Sequence, residues 1–139
     1  MEGENQKRIF IIEDDANILY SLQARLGLEG FNMEINNGSG EIHDLINKIK
    51  IFKPKYLILD LLMPEVDGFE IAEAIKGDSE TEKIIIFAFT NLSDNDSKKK
   101  ASDIGVDYYF LKKDLTVEEL VDKILKILDN RKKQNGKNQ

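Results

Sequence analysis

Short apolar runs alternate with segments of helical period along the whole chain. Four of the runs are nearly continuous: "RIFII" (Arg8–Ile12), "KYLILD" (Lys55–Asp60), "KIIIFAF" (Lys83–Phe89) and "DYYFL" (Asp107–Leu111). The remaining run, "FNMEIN" (Phe31–Asn36), alternates as a half-buried or edge strand does. Continuous, β-branched runs suit strands covered on both faces, the usual state of a parallel sheet. Between the runs, apolar residues recur at helical spacing. Ile18, Leu19, Leu22 and Leu26 share one face, and so do Ile42, Leu45, Ile46 and Ile49. Phe69, Ala72 and Ile75 mark a short third helix. Val117, Leu120, Val121, Ile124 and Leu128 make the strongest stripe, behind Thr116 and with Glu118 and Glu119 in the first turn. The segment "SDNDSKKKASDIG" offers a core only Ala101 and Ile104, so it predicts the least firmly packed helix. The order is a strand followed by a helix, five times over. Such alternation predicts an α/β fold, a parallel sheet with right-handed crossovers and helices on both faces.

Composition narrows this picture. A chain of 139 residues with 41% apolar residues suits one domain with one core. Cysteine is absent, which removes disulfides, thiolate metal sites and a cysteine nucleophile. The start "MEGENQKR" has no apolar targeting run, and no apolar run is long enough to span a bilayer, so a cytoplasmic protein is expected. Net charge is −6, unevenly spread. The tail Arg131–Gln139 holds four basic residues and no acid, leaving 16 basic and 26 acidic residues, a net of −10, in residues 1–130. Such a body does not favour direct nucleic-acid binding, because attraction to phosphates dominates that affinity. Residues 131–139 read as a basic polar tail or the start of a linker.

Ligands of open α/β sheets bind beyond the carboxyl ends of the strands. There the first run is followed by Glu13, Asp14 and Asp15, the third ends in Asp60, the fourth is followed by Thr90, and the fifth precedes Lys112. Carboxylates converging in one crevice resist full ionisation unless a cation joins them. Oxygen ligands without His or Cys suit a hard ion such as Mg²⁺. A carboxylate at a rigid strand end can also act as a nucleophile toward a phosphoryl group. Thr90 and Lys112 would then supply partners to the phosphoryl oxygens. Asp15 reads instead as an N-terminal helix residue, Asp67-Gly68 as a turn, Tyr108 as strand packing, and His43 as a surface residue off the apolar stripe.

This ordered set resembles the receiver domain of two-component response regulators, over about residues 7–130. The resemblance rests on Glu13 and Asp14, on Asp60 followed by Met63-Pro64 and Asp67-Gly68, and on Thr90, Tyr109 and Lys112 at the family's intervals. It implies a flavodoxin-like, doubly wound (βα)5 fold with strand order 2-1-3-4-5. It implies Asp60 as phosphoacceptor, with Mg²⁺ held by Glu13, Asp14, Asp60 and the backbone carbonyl of Leu62. Thr90 and Lys112 would contact the phosphoryl group, and Tyr109 would be the switch aromatic. The implied donor is a sensor histidine kinase or a phosphotransfer protein. The implied output is a changed surface on the fourth helix, fifth strand and fifth helix, read by a downstream protein or an effector domain. Homodimerisation on phosphorylation is compatible with this. The chain departs from the family pattern in three places. Lys113 replaces the usual Pro after Lys112, Asn91 replaces a small residue after Thr90, and apolar Leu62 and Leu92 stand two positions beyond Asp60 and Thr90. The two leucines suggest slow autodephosphorylation.

Two other function classes fit less well. An aspartyl-phosphate hydrolase generally has a second acid two residues past its nucleophile, where this chain has Leu62. A nucleotide or flavin binder needs a Gly- or hydroxyl-rich loop after the first strand, where this chain has "EDDAN".

Overall fold

The computed structural model describes residues 7–137. Most of the polar start, Met1–Gln6, and Asn138 and Gln139 lie outside the described residues. Five strands, β1 (Arg8–Ile12), β2 (Asn32–Asn36), β3 (Tyr56–Leu59), β4 (Ile85–Thr90) and β5 (Tyr108–Leu111), form one parallel sheet in the order β2-β1-β3-β4-β5. Five helices alternate with them: α1 (Ala16–Leu28), α2 (Ile42–Phe52), α3 (Gly68–Lys76), α4 (Asn95–Ile104) and α5 (Val117–Lys137). This is the flavodoxin-like receiver fold.

Side chains alternate along each strand and divide the core in two. Phe10 and Ile12 of β1 pack with Leu45 and Ile49 of α2 and with Ile71 and Ile75 of α3. Ile9 and Ile11 face the other way, toward Leu19, Leu22 and Leu26 of α1 and Leu120, Val121 and Ile124 of α5. Both faces of the sheet are therefore covered, which explains the continuous apolar runs. The edge strand β2 keeps its alternating pattern, with Asn32 and Glu34 exposed. Of the two residues its sequence offers to a core, helix α4 buries Ala101 and half-buries Ile104.

Short polar side chains start the helices. Asp15, Asp67 and Asp94 are the N-caps of α1, α3 and α4, each accepting from a backbone N–H in the first turn. Thr116 and Glu119 cap α5 reciprocally, at 3.1 and 3.0 Å. Helix α5 differs from the sequence expectation at its far end. Residues 131–137, read as part of a basic polar tail or the start of a linker, continue the helix. Residues 131–135 contain no Pro or Gly to stop it, Lys133 pairs with Asp129 one turn back at 3.2 Å, and Arg131 donates to the Tyr108 hydroxyl at 3.0 Å. Among the described residues no helix is long and apolar enough to cross a membrane.

Candidate phosphoacceptor site

The site lies where β1 and β3, neighbours in the middle of the sheet, reach their carboxyl ends. The strand order reverses between them, since β1 leads outward to β2 while β3 leads to β4 and β5. Backbone bonds fix the residues that follow each strand. Glu13 N–H donates to Asn36 O at 3.0 Å, Asp60 N–H to Ile12 O at 3.0 Å, and Lys112 N–H to Thr90 O at 2.9 Å. The side chains of Glu13, Asp60 and Lys112 therefore meet although they come from three strands.

Asp60 is 2% exposed and Glu13 1%. One carboxylate oxygen of Asp60, Oδ1, accepts from Leu62 N–H at 3.0 Å. The other, Oδ2, accepts from Lys112 Nζ at 2.8 Å. The same ammonium lies 2.9 Å from Glu13 Oε1 and 3.0 Å from Oε2. Glu13 Oε2 also accepts from Asp15 N–H at 3.0 Å. Burial pushes the Glu13 carboxyl up to about 7, with the Asp60 charge adding to the rise and the Asp15 N–H and Lys112 opposing it. For Lys112, burial acts to lower the pKa, but hydrogen bonds to Asp60 and Glu13 outweigh it and hold the ammonium above its ordinary range. Asp14 is exposed at the mouth.

Glu13, Asp14 and Asp60 each present an oxygen within 4.8 Å of the others. Three carboxylates against one ammonium leave a local excess of negative charge. An all-oxygen donor set of this kind fits a hard divalent cation.

Thr90 is fully buried, and its Oγ1 accepts from Leu92 N–H at 3.3 Å. Tyr109 is half-buried and donates its hydroxyl to Leu92 O at 2.7 Å. The loop after β4 is thus bonded to both Thr90 and Tyr109. Leu62 is 56% exposed and lines, with Leu92, Met63, Pro64 and Phe69, a groove of about 420 Å³. The Lys112–Lys113 peptide is trans, and the turn after it closes through Asp114 N–H to Leu111 O at 3.1 Å. Asn91, Lys113 and His43 are exposed. Asp15 turns away from the carboxylates and caps α1, donated to by Ile18 N–H at 3.1 Å.

The structure adds two residues that sequence reasoning undervalued. Gly68, read as part of a turn, lies against the Asp60 carbonyl and Leu61 Cα, with no room for a Cβ. Gly38, at φ 76°, seats the β2–α2 loop on Met63, and Gly40 N–H donates to Glu65 Oε2 at 3.3 Å. The "DG" pair signalled the turn; nothing local signals that its glycine must pass beneath Asp60.

The chain belongs to the response regulator receiver domain family of two-component signalling, whose model matches residues 9–125. It is 30% identical over 122 residues to the response regulator MprA of Mycobacterium tuberculosis, covering 87% of this chain and 50% of that protein. The chain spans about half the length of the curated relatives it matches. Among solved structures it is similar to a CheY-like receiver domain protein from Methanospirillum hungatei, with a TM-score of 0.77 and 25% identity over 92% of this chain and 98% of that one. It is also similar to the receiver domain of a DNA-binding response regulator from Colwellia psychrerythraea, with a TM-score of 0.75 and 27% identity over 88% and 98% of the two chains.

Proposed function

We propose that this receiver domain is a phosphorylation-dependent switch in which Asp60 accepts a phosphoryl group from a phosphohistidine. The donor is a sensor histidine kinase or a phosphotransfer protein, and the setting is the cytoplasm. The observation that carries this reading is the Asp60 carboxylate itself. It is buried, fixed through Oδ1 by the Leu62 N–H, and faced by Lys112, Glu13 and Asp14. Mg²⁺ would be held by Glu13, Asp14, Asp60 and the Leu62 carbonyl, and would supply positive charge toward the phosphoryl oxygens. An Asp60 oxygen attacks phosphorus; the O–P bond forms as the P–N bond to the donor imidazole breaks, and the bonding pair leaves with the imidazole nitrogen. Lys112 keeps its ammonium at the phosphoryl group, and the Thr90 hydroxyl donates to a phosphoryl oxygen.

The switch follows from the Leu92 contacts. A phosphoryl group that draws Thr90 toward Asp60 also draws the loop that holds the Tyr109 hydroxyl. The Tyr109 ring and the surface of α4, β5 and α5 then change together. The shallow packing of α4 makes it the element most easily moved. That surface is read by a downstream protein or an attached effector domain, and homodimerisation on phosphorylation is one way to use it. Leu62 and Leu92 border the groove beside Asp60 and offer no polar group to an attacking water, which supports slow autodephosphorylation.

The deciding experiment is a titration with beryllofluoride or acetyl phosphate in the presence of Mg²⁺, followed by the amide signals of Thr90 and Leu92 and by intact mass. The wild-type protein responds and Asp60→Asn does not. An equal response from Asp60→Asn would sink the assignment.

A further inference from the structure

Tyr108 and Tyr109 are consecutive in β5, so their side chains leave the strand on opposite faces. Tyr109 packs against the core beneath α2, α3 and α4 and donates to Leu92 O. Tyr108 packs against the other core, beneath α1 and α5. Its ring stacks on Phe87, 5.1 Å away and tilted by 16°. Its hydroxyl accepts from Arg131 Nη1 at 3.0 Å. One edge strand therefore carries a bond to the loop after Thr90 on one face and a bond to the end of α5 on the other.

The end of α5 depends on few contacts. The last buried residue of α5 among those described is Ile124; Leu128 is half-buried, and residues 129–135 are exposed. Among the described residues beyond Leu128, the side-chain bonds that hold the helix are the Lys133–Asp129 pair within it and the Arg131–Tyr108 bond to the sheet. Exposed helical turns without packing are marginal in water. A single anchoring bond then decides much of their order. Arg131 also lies near enough to Tyr56 that its charge opposes the rise in pKa that burial gives that phenol. β5 pairs with β4 alone, through Phe87–Tyr108, Ala88–Tyr109, Phe89–Phe110 and Thr90–Leu111, so it has the freedom to shift as a unit.

From these contacts we infer that Tyr108 and Arg131 couple the phosphoacceptor site to the basic final turns of α5, so that the order of residues 129–135 follows the state of Asp60. The inference rests on the phosphorylation reading above. The path runs from Thr90 Oγ1 to Leu92 N–H, from Leu92 O to the Tyr109 hydroxyl, along β5 to Tyr108, and from its hydroxyl to Arg131. Occupation of the site draws the Leu92 loop and Tyr109 together toward Asp60 and holds them in that one arrangement. That fixes β5, and with it the acceptor that Arg131 needs. The switch would then present Arg131, Lys132 and Lys133 on an ordered helix in one state and on a frayed one in the other.

Amide hydrogen exchange on the full chain tests this, with and without beryllofluoride and Mg²⁺. In the wild type, exchange over residues 129–135 slows about fivefold on beryllofluoride addition, the effect of one hydrogen bond. Tyr108→Phe keeps the aromatic stack but removes the acceptor. It speeds exchange there and abolishes the beryllofluoride effect, while the Thr90 amide still shifts. Arg131→Gln behaves the same way. The coupling is overturned if the Thr90 amide responds but residues 129–135 exchange equally in both states, or if Tyr108→Phe keeps the full effect. A silent Thr90 amide overturns the phosphorylation reading and the coupling with it.

Discussion

A methyl group on Gly68 would lie 2.5 Å from Leu61 Cα and closer still to the Asp60 carbonyl oxygen. The obstacle is backbone, so a side-chain adjustment cannot relieve it. Gly68→Ala therefore displaces either the start of α3 or the Asp60–Leu61 peptide. The expected loss is about 2 kcal/mol of stability, as for overpacked sites in general, read as a lower denaturant midpoint. An unchanged midpoint would mean that the loop yields at no cost. Leu62 makes the opposite kind of residue-scale prediction. Its side chain is exposed two residues beyond Asp60, so replacing it alters the surroundings of the proposed acyl phosphate without emptying the core. Leu62→Asn places a polar side chain where the chain now has an apolar one, and should speed autodephosphorylation roughly fivefold, the kinetic equivalent of one hydrogen bond. Decay of the ³²P-labelled protein measures it, and equal rates for the two proteins would count against the role given to Leu62.

The helices carry their own pH dependence. Asp94 is held below the ordinary carboxyl range by the Ser97 N–H it accepts from at the start of α4, and Glu119 by the Thr116 N–H at the start of α5. Asp78 is lowered by its hydrogen bond to Lys50, 2.6 Å away. A carboxyl whose folded pKa is depressed stabilises the fold fully above its unfolded value, about 4, and loses that contribution as pH falls through the folded value. The combined variant Asp78→Asn, Asp94→Asn and Glu119→Gln keeps neutral acceptors at these three places. It should melt below the wild type at pH 6, and the gap should close as pH falls from about 4 toward 2. A gap independent of pH would show that these carboxylates do not stabilise the fold as ions. These elements also mark how far the sequence could be read. β1 matches the run Arg8–Ile12 residue for residue, and the other strands begin or end within two residues of their runs, because apolar period and capping are local signals. The helical end of α5 was not legible. Its composition resembles a linker, and the bond that anchors it joins Arg131 to a tyrosine 23 positions earlier. In the same way Lys112 was legible as a site residue, but its simultaneous grip on Glu13 and Asp60 spans 99 and 52 positions and appears only in three dimensions.

At the scale of the molecule, the sheet order puts the ends of β1 and β3 side by side and so gathers Glu13, Asp14 and Asp60, already within a body of net negative charge. Folding must bring these carboxylates together, and Lys112 offsets only part of their repulsion. The unfolded chain holds Asp60 apart from Glu13 and Asp14 and has no such site. A divalent cation that binds the folded state alone therefore stabilises it by mass action, by about 2.7 kcal/mol at a hundred times its Kd. For a domain of this length that is roughly a 10 °C rise in Tm. Mg²⁺ should produce this rise in the wild type, and NaCl at equal ionic strength should not, since screening of exposed charges acts on the whole surface. Asp14→Asn should lose most of the Mg²⁺ effect. Asp15→Asn should keep it, because Asp15 spends its side chain on the α1 cap and asparagine caps about as well. Equal Mg²⁺ gains in Asp14→Asn and the wild type would place the cation elsewhere on the acidic surface, and would remove the metal from this site.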